Sequence, residues 1–573
     1  MGSSTRSTRS PKRRIQLLVL VALAGFAVLA LRATWLSTVR ASTLSAKADR
    51  QHMIRVDLPA ERGTIMSADG RTLAVDRPTM LVSADARYVN DPATVAETIT
   101  SVTHGDSADR ERIEQRLRTK SAYVILAKQV SFRQADYLKT LNIDGLHFER
   151  TSKRSYPLGK TAGQVLGLTD LDSGKGIEGL ERSLNEALAG RAGKRVEIRD
   201  PRLQQTVRLV EAKNPRPGAD VKLTINADIQ QKMEAVLASA RRAYRAKGAM
   251  GVIMDPNTGA ILAMSSVPRV DPNNRAALKP EDVRSRSVTD PYEPGSVFKV
   301  VTVAGALEER LTTPTRRWVV PPSITINPGT KDRFTLHDAH KRGGTEVMTT
   351  TEILQRSSNI GTIEISKLLA KRRHLRLWMS KFGFGQPTGI DMAGEARGSL
   401  LPVAKWSSGS RINIPLGQGL AATQVQLIRA YAAIANGGYL VTPHIVASVG
   451  GQAAPAEPRV QVISPATSRK LTRILETVVE GSDGTGVEAS LPGYNVAGKT
   501  GTAQTVDPKT GKYVDRYRSS FIGYVPSRKP RLLIAVMVDD PSPAGPHTGG
   551  EVAAPAFREI ADYALSTLGI PHA

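Results

Sequence analysis

The ten-residue stretch PYEPGSVFKV (residues 291–300) places Ser296 and Lys299 three positions apart, directly after a Pro-Gly pair. No other serine in the chain has a lysine three residues later. Pro294 and Gly295 predict a bend that leads into a helix, where residues i and i+3 project from nearly the same face. The stretch therefore predicts a serine hydroxyl and a lysine amine side by side at a helix N-terminus.

This pair suits nucleophilic catalysis. A serine hydroxyl is a weak nucleophile at neutral pH and needs a base to accept its proton. A lysine can serve as that base when burial or a neighbouring cation lowers its pKa. The helix N-terminus would favour the negative charge that develops during attack. Taken alone the signal is weak, because most such pairs are a solvated serine and a surface lysine.

Two further motifs follow in the sequence. Ser357-Ser358-Asn359 lies in LQRSSNIGT, and Lys499-Thr500-Gly501-Thr502 lies in VAGKTGTAQ. Separately, the first could be a helix cap and the second a turn at a strand edge. In this order within one domain, the three motifs match the set found in penicillin-recognising serine enzymes.

The composition predicts a globular chain of more than one domain. Its 573 residues exceed a single core, since a domain usually holds ~100–200 residues. Hydrophobic residues make up 40% and charged residues 23%, which excludes a disordered chain. The absence of cysteine excludes disulfides, thiolate metal sites and cysteine nucleophiles. The net charge of +26 indicates a polyanionic neighbour, either nucleic acid, anionic lipid or an acidic wall polymer.

The N-terminus narrows this choice. An apolar run from Ile15 to Leu31 follows a basic block without acidic residues. We predict a cytoplasmic tail at 1–14 and a transmembrane anchor at 15–37, with the remainder outside the membrane. A cleaved signal peptide is the alternative, although its apolar core is usually only ~7–15 residues. In both cases the bulk of the chain is extracytoplasmic, so no nucleic acid partner is expected.

Changes in residue composition and hydrophobic pattern along the chain predict the domain boundaries. The Pro- and Gly-rich segment NPRPGAD (214–220) is the best linker candidate. We predict an N-terminal α+β domain at 38–220 and a second α+β domain at 221–568. In the second, strand patterns near both ends enclose helical patterns, which favours a mainly antiparallel sheet flanked by helices. Helical spacing also runs through residues 92–140, as in ERIEQRLRTKSAYVI (111–125), and through residues 352–371.

The motifs and their surroundings resemble the class B penicillin-binding proteins, most closely the FtsI type of cell division. Two positions depart from the usual family pattern. Ser67-Ala68-Asp69-Gly70 stands in place of Asp-Arg-Asn-Gly, and Thr224-Ile225-Asn226 stands in place of Thr-Ile-Asp. Beyond the motifs, the similarity rests on RGTI (62–65), RSYP (154–157), GKGIEGLE (174–181), KFGFGQPTGIDMAGE (381–395), LGQGLAATQVQL (416–427), AIANGGYLVTPHIV (433–446) and SFIGYVP (520–526).

The resemblance implies a fold, a reaction and roles for residues. The fold is one transmembrane helix, an α+β pedestal or dimerisation-like domain and a β-lactamase-like transpeptidase domain. The reaction is D,D-transpeptidation of peptidoglycan stem peptides, through an acyl-enzyme on Ser296 with Lys299 as base. Ser357 would relay a proton to the departing D-Ala, and Asn359 would bind the substrate amide and hold Lys299. Lys499 would supply positive potential, and the substrate carboxylate would lie on the strand formed by Thr500, Gly501 and Thr502.

The resemblance also implies an oxyanion hole and partners. The backbone N–H groups of Ser296 and Thr502 would form the hole. No metal or cofactor is implied. The expected partners are stem peptides with lipid-linked nascent glycan, β-lactams, a septal glycan polymerase of the FtsW type with other division proteins, and the cytoplasmic membrane. A β-lactamase, a D,D-carboxypeptidase, an elongation-type transpeptidase and a division scaffold with a non-essential acylation site remain alternatives.

Overall fold

The structure is a computed structural model that describes residues 11–43, 53–199, 206–326, 329, 333–338, 343–371, 374–455, 457–507, 510, 513–542 and 544–572. Residues 1–10 of the predicted cytoplasmic tail and residues 44–52 of the predicted N-terminal domain lie outside this range.

The strands, numbered in chain order, are β1 Met53–Leu58, β2 Ile65–Met66, β3 Thr72–Ala84, β4 Val124–Val130, β5 Leu146–Ser155, β6 Gly193–Arg199, β7 Thr206–Lys213, β8 Val221–Leu223, β9 Gly248–Met254, β10 Ile261–Val267, β11 Arg317–Val320, β12 Ser323–Ile326, β13 Phe334–His337, β14 Glu346–Thr349, β15 Tyr439–Leu440, β16 Val446–Val449, β17 Gln452–Ala453, β18 Val460–Gln461, β19 Ala497–Val506, β20 Tyr513–Val525 and β21 Leu532–Asp539.

The α-helices are α1 Pro11–Thr38, α2 Pro92–Thr103, α3 Ser107–Arg118, α4 Phe132–Thr140, α5 Gly163–Leu166, α6 Gly179–Ser183, α7 Asn185–Leu188, α8 Ala227–Ala243, α9 Pro280–Val283, α10 Arg286–Thr289, α11 Lys299–Glu308, α12 Thr350–Gln355, α13 Asn359–Lys371, α14 Leu375–Lys381, α15 Ser408–Asn413, α16 Gln424–Ala435, α17 Pro465–Glu480 and α18 Gly549–Thr567.

The chain divides into two compact units. The first comprises Met1–Ala60 and Arg191–Arg216, and it contains α1 and an antiparallel sheet in the order β1-β6-β7. Its segment Lys12–Thr38 is long and apolar enough to cross a membrane, with a mean hydropathy of 2.3. Near the end of this helix, the guanidinium carbons of Arg32 and Arg40 lie 5.1 and 4.6 Å from the ring centroid of Trp35. Such a cluster suits a membrane–water interface.

The second unit comprises Glu61–Gly190 and Pro217–Ala573. A seven-stranded sheet runs in the order β17-β16-β8-β2-β3-β4, and β5 pairs with β3 outside this path. The helices α2, α3 and α4 contribute to a small hydrophobic core against β3 and β4. The predicted helical pattern through residues 92–140 is wrong between Arg118 and Phe132, because α3 ends at Arg118 and Val124 begins β4. The intervening Lys120 has a left-handed φ of 53°, which interrupts the helix.

A buried ionic network brings together three segments that carried the resemblance. Nε of Arg62 lies 2.5 Å from Oε2 of Glu181, and Nε of Arg154 lies 2.7 Å from Oε1 of the same carboxylate. Nη1 of Arg154 also donates to the carbonyl of Gly63 and pairs with Asp76. Because these charges are removed from water, each depends on its partners to stay buried.

A five-stranded antiparallel sheet in the order β10-β9-β21-β20-β19 carries the second half of this unit. All residues of β21 are buried, and they alternate between two cores. Ile534, Val536 and Val538 join the core that contains α8 and α18. Leu533, Ala535 and Met537 join the core that contains α11, α16 and α17. The sheet is therefore covered by helices on both faces, as the sequence predicted, and β19 forms one edge.

Candidate active site

The Ser-x-x-Lys segment forms a short 3₁₀ turn, Gly295–Phe298, that continues into α11 at Lys299. In a 3₁₀ turn the side chains of residues i and i+3 eclipse each other, so Ser296 and Lys299 project on the same side. Lys299 is fully buried, whereas Ser296 is half-buried and remains reachable from solvent. The sequence predicted a helix N-terminus here, and the structure adds that its first turn is 3₁₀.

Close backbone packing fixes this turn. Gly295 has a left-handed φ of 59°, and its N–H donates to the carbonyl of Gly417 at 3.0 Å. A Cβ at Gly295 would lie only 3.1 Å from Cβ of Ala503. The hydroxyl of the buried Tyr431 donates to the carbonyl of Val297 at 2.7 Å. The nucleophile turn is thus held against strand β19 on one side and helix α16 on the other.

The second motif lies between two helices. The predicted helical stretch 352–371 is divided into α12 and α13, because Ser357 adopts a left-handed φ of 56°. This conformation is uncommon for a residue with a side chain. It accompanies a hydrogen bond in which Nζ of Lys299 donates to the Ser357 carbonyl at 2.6 Å. The same Nζ lies 3.4 Å from Oγ of Ser357.

Lys299 is held by neutral acceptors. Its Nζ donates to Oδ1 of Asn359 at 2.6 Å, in addition to the Ser357 carbonyl. Burial lowers the pKa of Lys299 to about 7, against a smaller opposing effect from the negative charge of Asp338. A large fraction of this amine is therefore uncharged at neutral pH, and in that form it can accept a proton.

Asp338 is a site residue that the sequence reasoning missed. Its Oδ1 accepts hydrogen bonds from the N–H groups of Asn359 and Ile360, at 2.6 and 3.0 Å. Its Oδ2 accepts from the hydroxyl of Ser358 at 2.7 Å. Asp338 thereby caps the N-terminus of α13 and holds the second motif in place. No local sequence pattern identifies it, because it lies about twenty positions before the residues it contacts.

The third motif lies on the edge strand β19. A Cβ at Gly501 would lie 2.9 Å from Cγ1 of Val297 and 3.2 Å from the carbonyl oxygen of Pro294. Only glycine therefore lets the strand approach the nucleophile turn this closely. This contact places β19, the strand that carries Lys499, Thr500 and Thr502, directly beside the turn that carries Ser296.

Lys499 is fully buried, and its Nζ donates to the carbonyl of Thr500 at 3.2 Å. Burial, reinforced by the positive charge of Lys299, lowers the pKa of Lys499 well below its ordinary value. An anionic group bound nearby would offset this effect and favour the charged form of Lys499.

Two further contacts to the third motif were not predicted. Oγ1 of Thr485 lies 2.7 Å from Oγ1 of Thr500, so the loop after α17 contacts this motif. Oγ1 of Thr502 accepts a hydrogen bond from the N–H of Gly549, the first residue of α18, at 3.1 Å. A solvent-accessible serine and a lysine of lowered pKa therefore lie beside an edge strand that carries two threonine hydroxyls. Such an arrangement can support acyl transfer from a peptide carrying a carboxylate.

Comparison with known protein families gives two matches. Residues 249–562 match the penicillin binding protein transpeptidase domain, and residues 57–223 match the penicillin-binding protein dimerisation domain. The first covers the five-stranded sheet and all three motifs, and the second covers most of the region before the predicted linker.

Individual proteins are similar over most of their length. The chain is 30% identical to peptidoglycan D,D-transpeptidase FtsI of Escherichia coli, covering 98% of this chain and 95% of that protein. It is 32% identical to stage V sporulation protein D of Bacillus subtilis, covering 98% and 86%. The crystal structure of penicillin binding protein 3 from Mycobacterium tuberculosis with aztreonam superposes with a TM-score of 0.70 at 30% identity, covering 90% and 98%.

The two family domains occur in this order, relatives match over nearly their full length, and a solved relative has the same fold. The chain therefore belongs to the class B penicillin-binding proteins, and it is a serine-type D,D-transpeptidase.

Proposed function

We propose that this enzyme crosslinks peptidoglycan stem peptides during septal wall synthesis, through an acyl-enzyme on Ser296. The observation that carries the assignment of Ser296 is its position beside Lys299, a fully buried lysine held by neutral acceptors whose pKa is lowered to about 7. Lys299 can therefore act as a base near neutral pH.

In the first step, Oγ of Ser296 attacks the carbonyl carbon of the penultimate D-Ala, and Lys299 takes the hydroxyl proton. The negative charge on the carbonyl oxygen is received by the N–H groups of Ser296 and Thr502. The first N–H groups of a helical turn have no partner within that turn, which leaves Ser296 free to act in this way. Losing one oxyanion donor typically costs ~3 kcal/mol of transition-state stabilisation.

The C–N bond then breaks, and the proton passes from Lys299 through the Ser357 hydroxyl to the departing amine of the terminal D-Ala. The 3.4 Å separation of Nζ of Lys299 and Oγ of Ser357 suits this relay once substrate tightens the site. The carboxylate of the terminal D-Ala binds the hydroxyls of Thr500 and Thr502, close to Lys499. Asn359 hydrogen-bonds the substrate amide while it retains Lys299.

The second step reverses these roles. An amine of a neighbouring stem peptide attacks the ester carbonyl, its nitrogen–carbon bond forms, and the bond to Oγ of Ser296 breaks. The proton released by the amine returns to Ser296 through Lys299. β-Lactams bind this family of enzymes as mimics of the donor, and they would acylate Ser296 without a rapid second step.

The proposal also assigns the domains and the topology. Residues 1–14 would lie in the cytoplasm, 15–37 in the membrane, and 38–220 and 221–568 would form the pedestal and transpeptidase domains outside. The one helix among the described residues that is long and apolar enough to cross a membrane, with its Arg-Trp cluster, is consistent with this single-pass anchor. The septal role, and a glycan polymerase of the FtsW type as partner, are supported by the near-full-length similarity to FtsI. An elongation role is the alternative, because this chain is about equally similar to a sporulation protein and to a further D,D-transpeptidase.

The decisive experiment uses the full-length protein in detergent and a fluorescent penicillin. Peptide mass spectrometry should locate a stable label on Ser296, and the Ser296→Ala protein should stay unlabelled. A label on another residue would contradict the assignment, and a label lost by rapid hydrolysis would indicate a β-lactamase.

Depletion of the wild-type protein tests the cellular role, because arrested septation is expected whereas a defect confined to elongation would overturn it. If cells that contain only the Ser296→Ala protein still form septa, the protein acts as a division scaffold.

A further inference from the structure

Glu293 is a carboxylate at the cleft that the transpeptidase roles do not use. It lies three residues before Ser296 in the same folded segment, and Pro294 and Gly295 between them adopt turn conformations. Three residues span at most ~11 Å even when extended, so Glu293 is near the nucleophile. It is half-buried and keeps part of its surface open to solvent.

Among the described residues, two neutral groups hold this carboxylate. Oε1 of Glu293 accepts from the N–H of Gly419 at 2.7 Å, and Oε2 accepts from the hydroxyl of Tyr513 at 3.1 Å. No cationic side chain among the described residues forms an ion pair with Glu293, and Arg518, whose positive charge acts on this carboxylate, is paired with Asp539. A partly buried carboxylate without a counter-ion is costly, and desolvation accordingly raises its pKa. The site would therefore gain from an incoming cation.

The position of Tyr513 relates this carboxylate to the path of the substrate. Tyr513 pairs with Val506 at the end of β19, whereas the third motif includes Thr502 of the same strand. The four residue steps from Thr502 to Val506 extend ~13 Å along the strand. A peptide can add to the open edge of β19 by backbone pairing. With its carboxylate at Thr500 and Thr502, its preceding residues would run toward Tyr513 and Glu293.

The donor peptide itself supplies a suitable cation. The crosslink consumes an amine of a neighbouring stem peptide, so a donor stem of the same kind carries such an amine too. The residue before the two D-Ala residues lies ~7 Å from the terminal one along an extended chain. An amine on a flexible side chain there could reach Glu293.

We propose that Glu293, oriented by Tyr513 and Gly419, forms a subsite that binds the side-chain ammonium of the donor stem peptide. The subsite would distinguish donor peptides whose side-chain amine is free from those whose amine is already acylated. This inference rests on the proposed transpeptidase function. A structural role for Glu293, fastening Gly419 to the nucleophile turn, is the competing interpretation.

The test compares two donors in the full-length protein: Nα-acetyl-L-lysyl-D-alanyl-D-thiolactate and its Nα,Nε-diacetyl form. Both are hydrolysed with release of D-thiolactate, and they differ only in the ammonium group. The wild-type kcat/KM should be about tenfold higher for the free amine, the gain expected from a hydrogen bond to a charged group. Glu293→Gln should remove this preference, because the amide retains the shape of the carboxylate and loses its charge.

Wild-type protein without a preference would overturn the subsite, whatever the variants do. An equal loss for both donors in Glu293→Gln would assign Glu293 a structural role, and an unchanged preference would place the amine elsewhere. If Glu293→Gln fails to fold, Tyr513→Phe replaces it, because loss of one orienting hydrogen bond should reduce the preference about threefold. Acylation by benzylpenicillin, which carries no amine, is measured in parallel. If benzylpenicillin does not acylate the wild-type protein, the proposed transpeptidase function is contradicted rather than the subsite.

Discussion

Nζ of Lys299 donates a 2.6 Å hydrogen bond to Oδ1 of Asn359, which lies sixty positions later in the chain. Its second strong acceptor is the carbonyl of Ser357, also at 2.6 Å. Both acceptors are uncharged, so they hold the amine in place without stabilising its positive charge as a carboxylate would. The burial of Lys299 can therefore dominate its pKa, which makes this lysine a base instead of a permanent cation.

Acylation should consequently depend on pH. The active form of Lys299 is uncharged, and its pKa is about 7. Below that pH the second-order rate constant for benzylpenicillin should fall about tenfold per unit, because protonated Lys299 cannot accept the Ser296 proton. Above pH ~8 it should level off. Stopped-flow measurements between pH 5.5 and 9 would check this, and a flat profile would show that Lys299 is not the base.

Replacing Asp338 by asparagine should shift this profile to lower pH. The negative charge of Asp338 favours protonated Lys299, so its removal lowers the pKa of Lys299 further. The amide oxygen can still accept from the N–H groups of Asn359 and Ile360, which should preserve the cap of α13. Asp136→Asn, at an exposed ion pair on α4, is the control and should leave the profile unchanged. A shift to higher pH would contradict the electrostatic role.

The motif residues could be predicted from sequence because the residues of each motif lie close together in the chain. Ser296 and Lys299 share one turn, so their spacing alone predicts a common face, and Lys499 to Thr502 are consecutive residues of one strand. The strand β21 was equally predictable, since it is a long run of apolar residues bounded by turn signals.

Contacts between distant segments could not be predicted in this way. Asp338 reaches Ser358, and Thr485 reaches Thr500, across turns whose geometry is decided by tertiary packing. The left-handed φ of Ser357 is a further example, because serine has no special preference for that conformation and is held there by its surroundings. The helical pattern through residues 352–371 gave no indication of this break.

Gly501→Ala should strongly impair acylation. The added methyl group would meet Val297 and the carbonyl of Pro294, and also the hydroxyl of Ser520, so β19 would move away from the nucleophile turn. A displacement of about 1 Å can cost a hundredfold in rate. Gly344→Ala, which meets no atom within 4 Å, is the matched control and should leave the acylation rate unchanged. Equal rates for both variants would show that the strand and the turn are not closely coupled.

Glu181→Ala should destabilise the second unit by about 3–5 kcal/mol, because it leaves the buried guanidinium groups of Arg62 and Arg154 without their shared carboxylate. The exposed pair of Glu114 and Arg118 provides the comparison, since Glu114→Ala should cost only about 0.5 kcal/mol. The midpoints of denaturant unfolding, followed by tryptophan fluorescence on full-length protein in detergent, would measure both. If the two variants unfold at the same denaturant concentration, the network contributes no more than a surface ion pair, and its three segments must be held together by apolar packing instead.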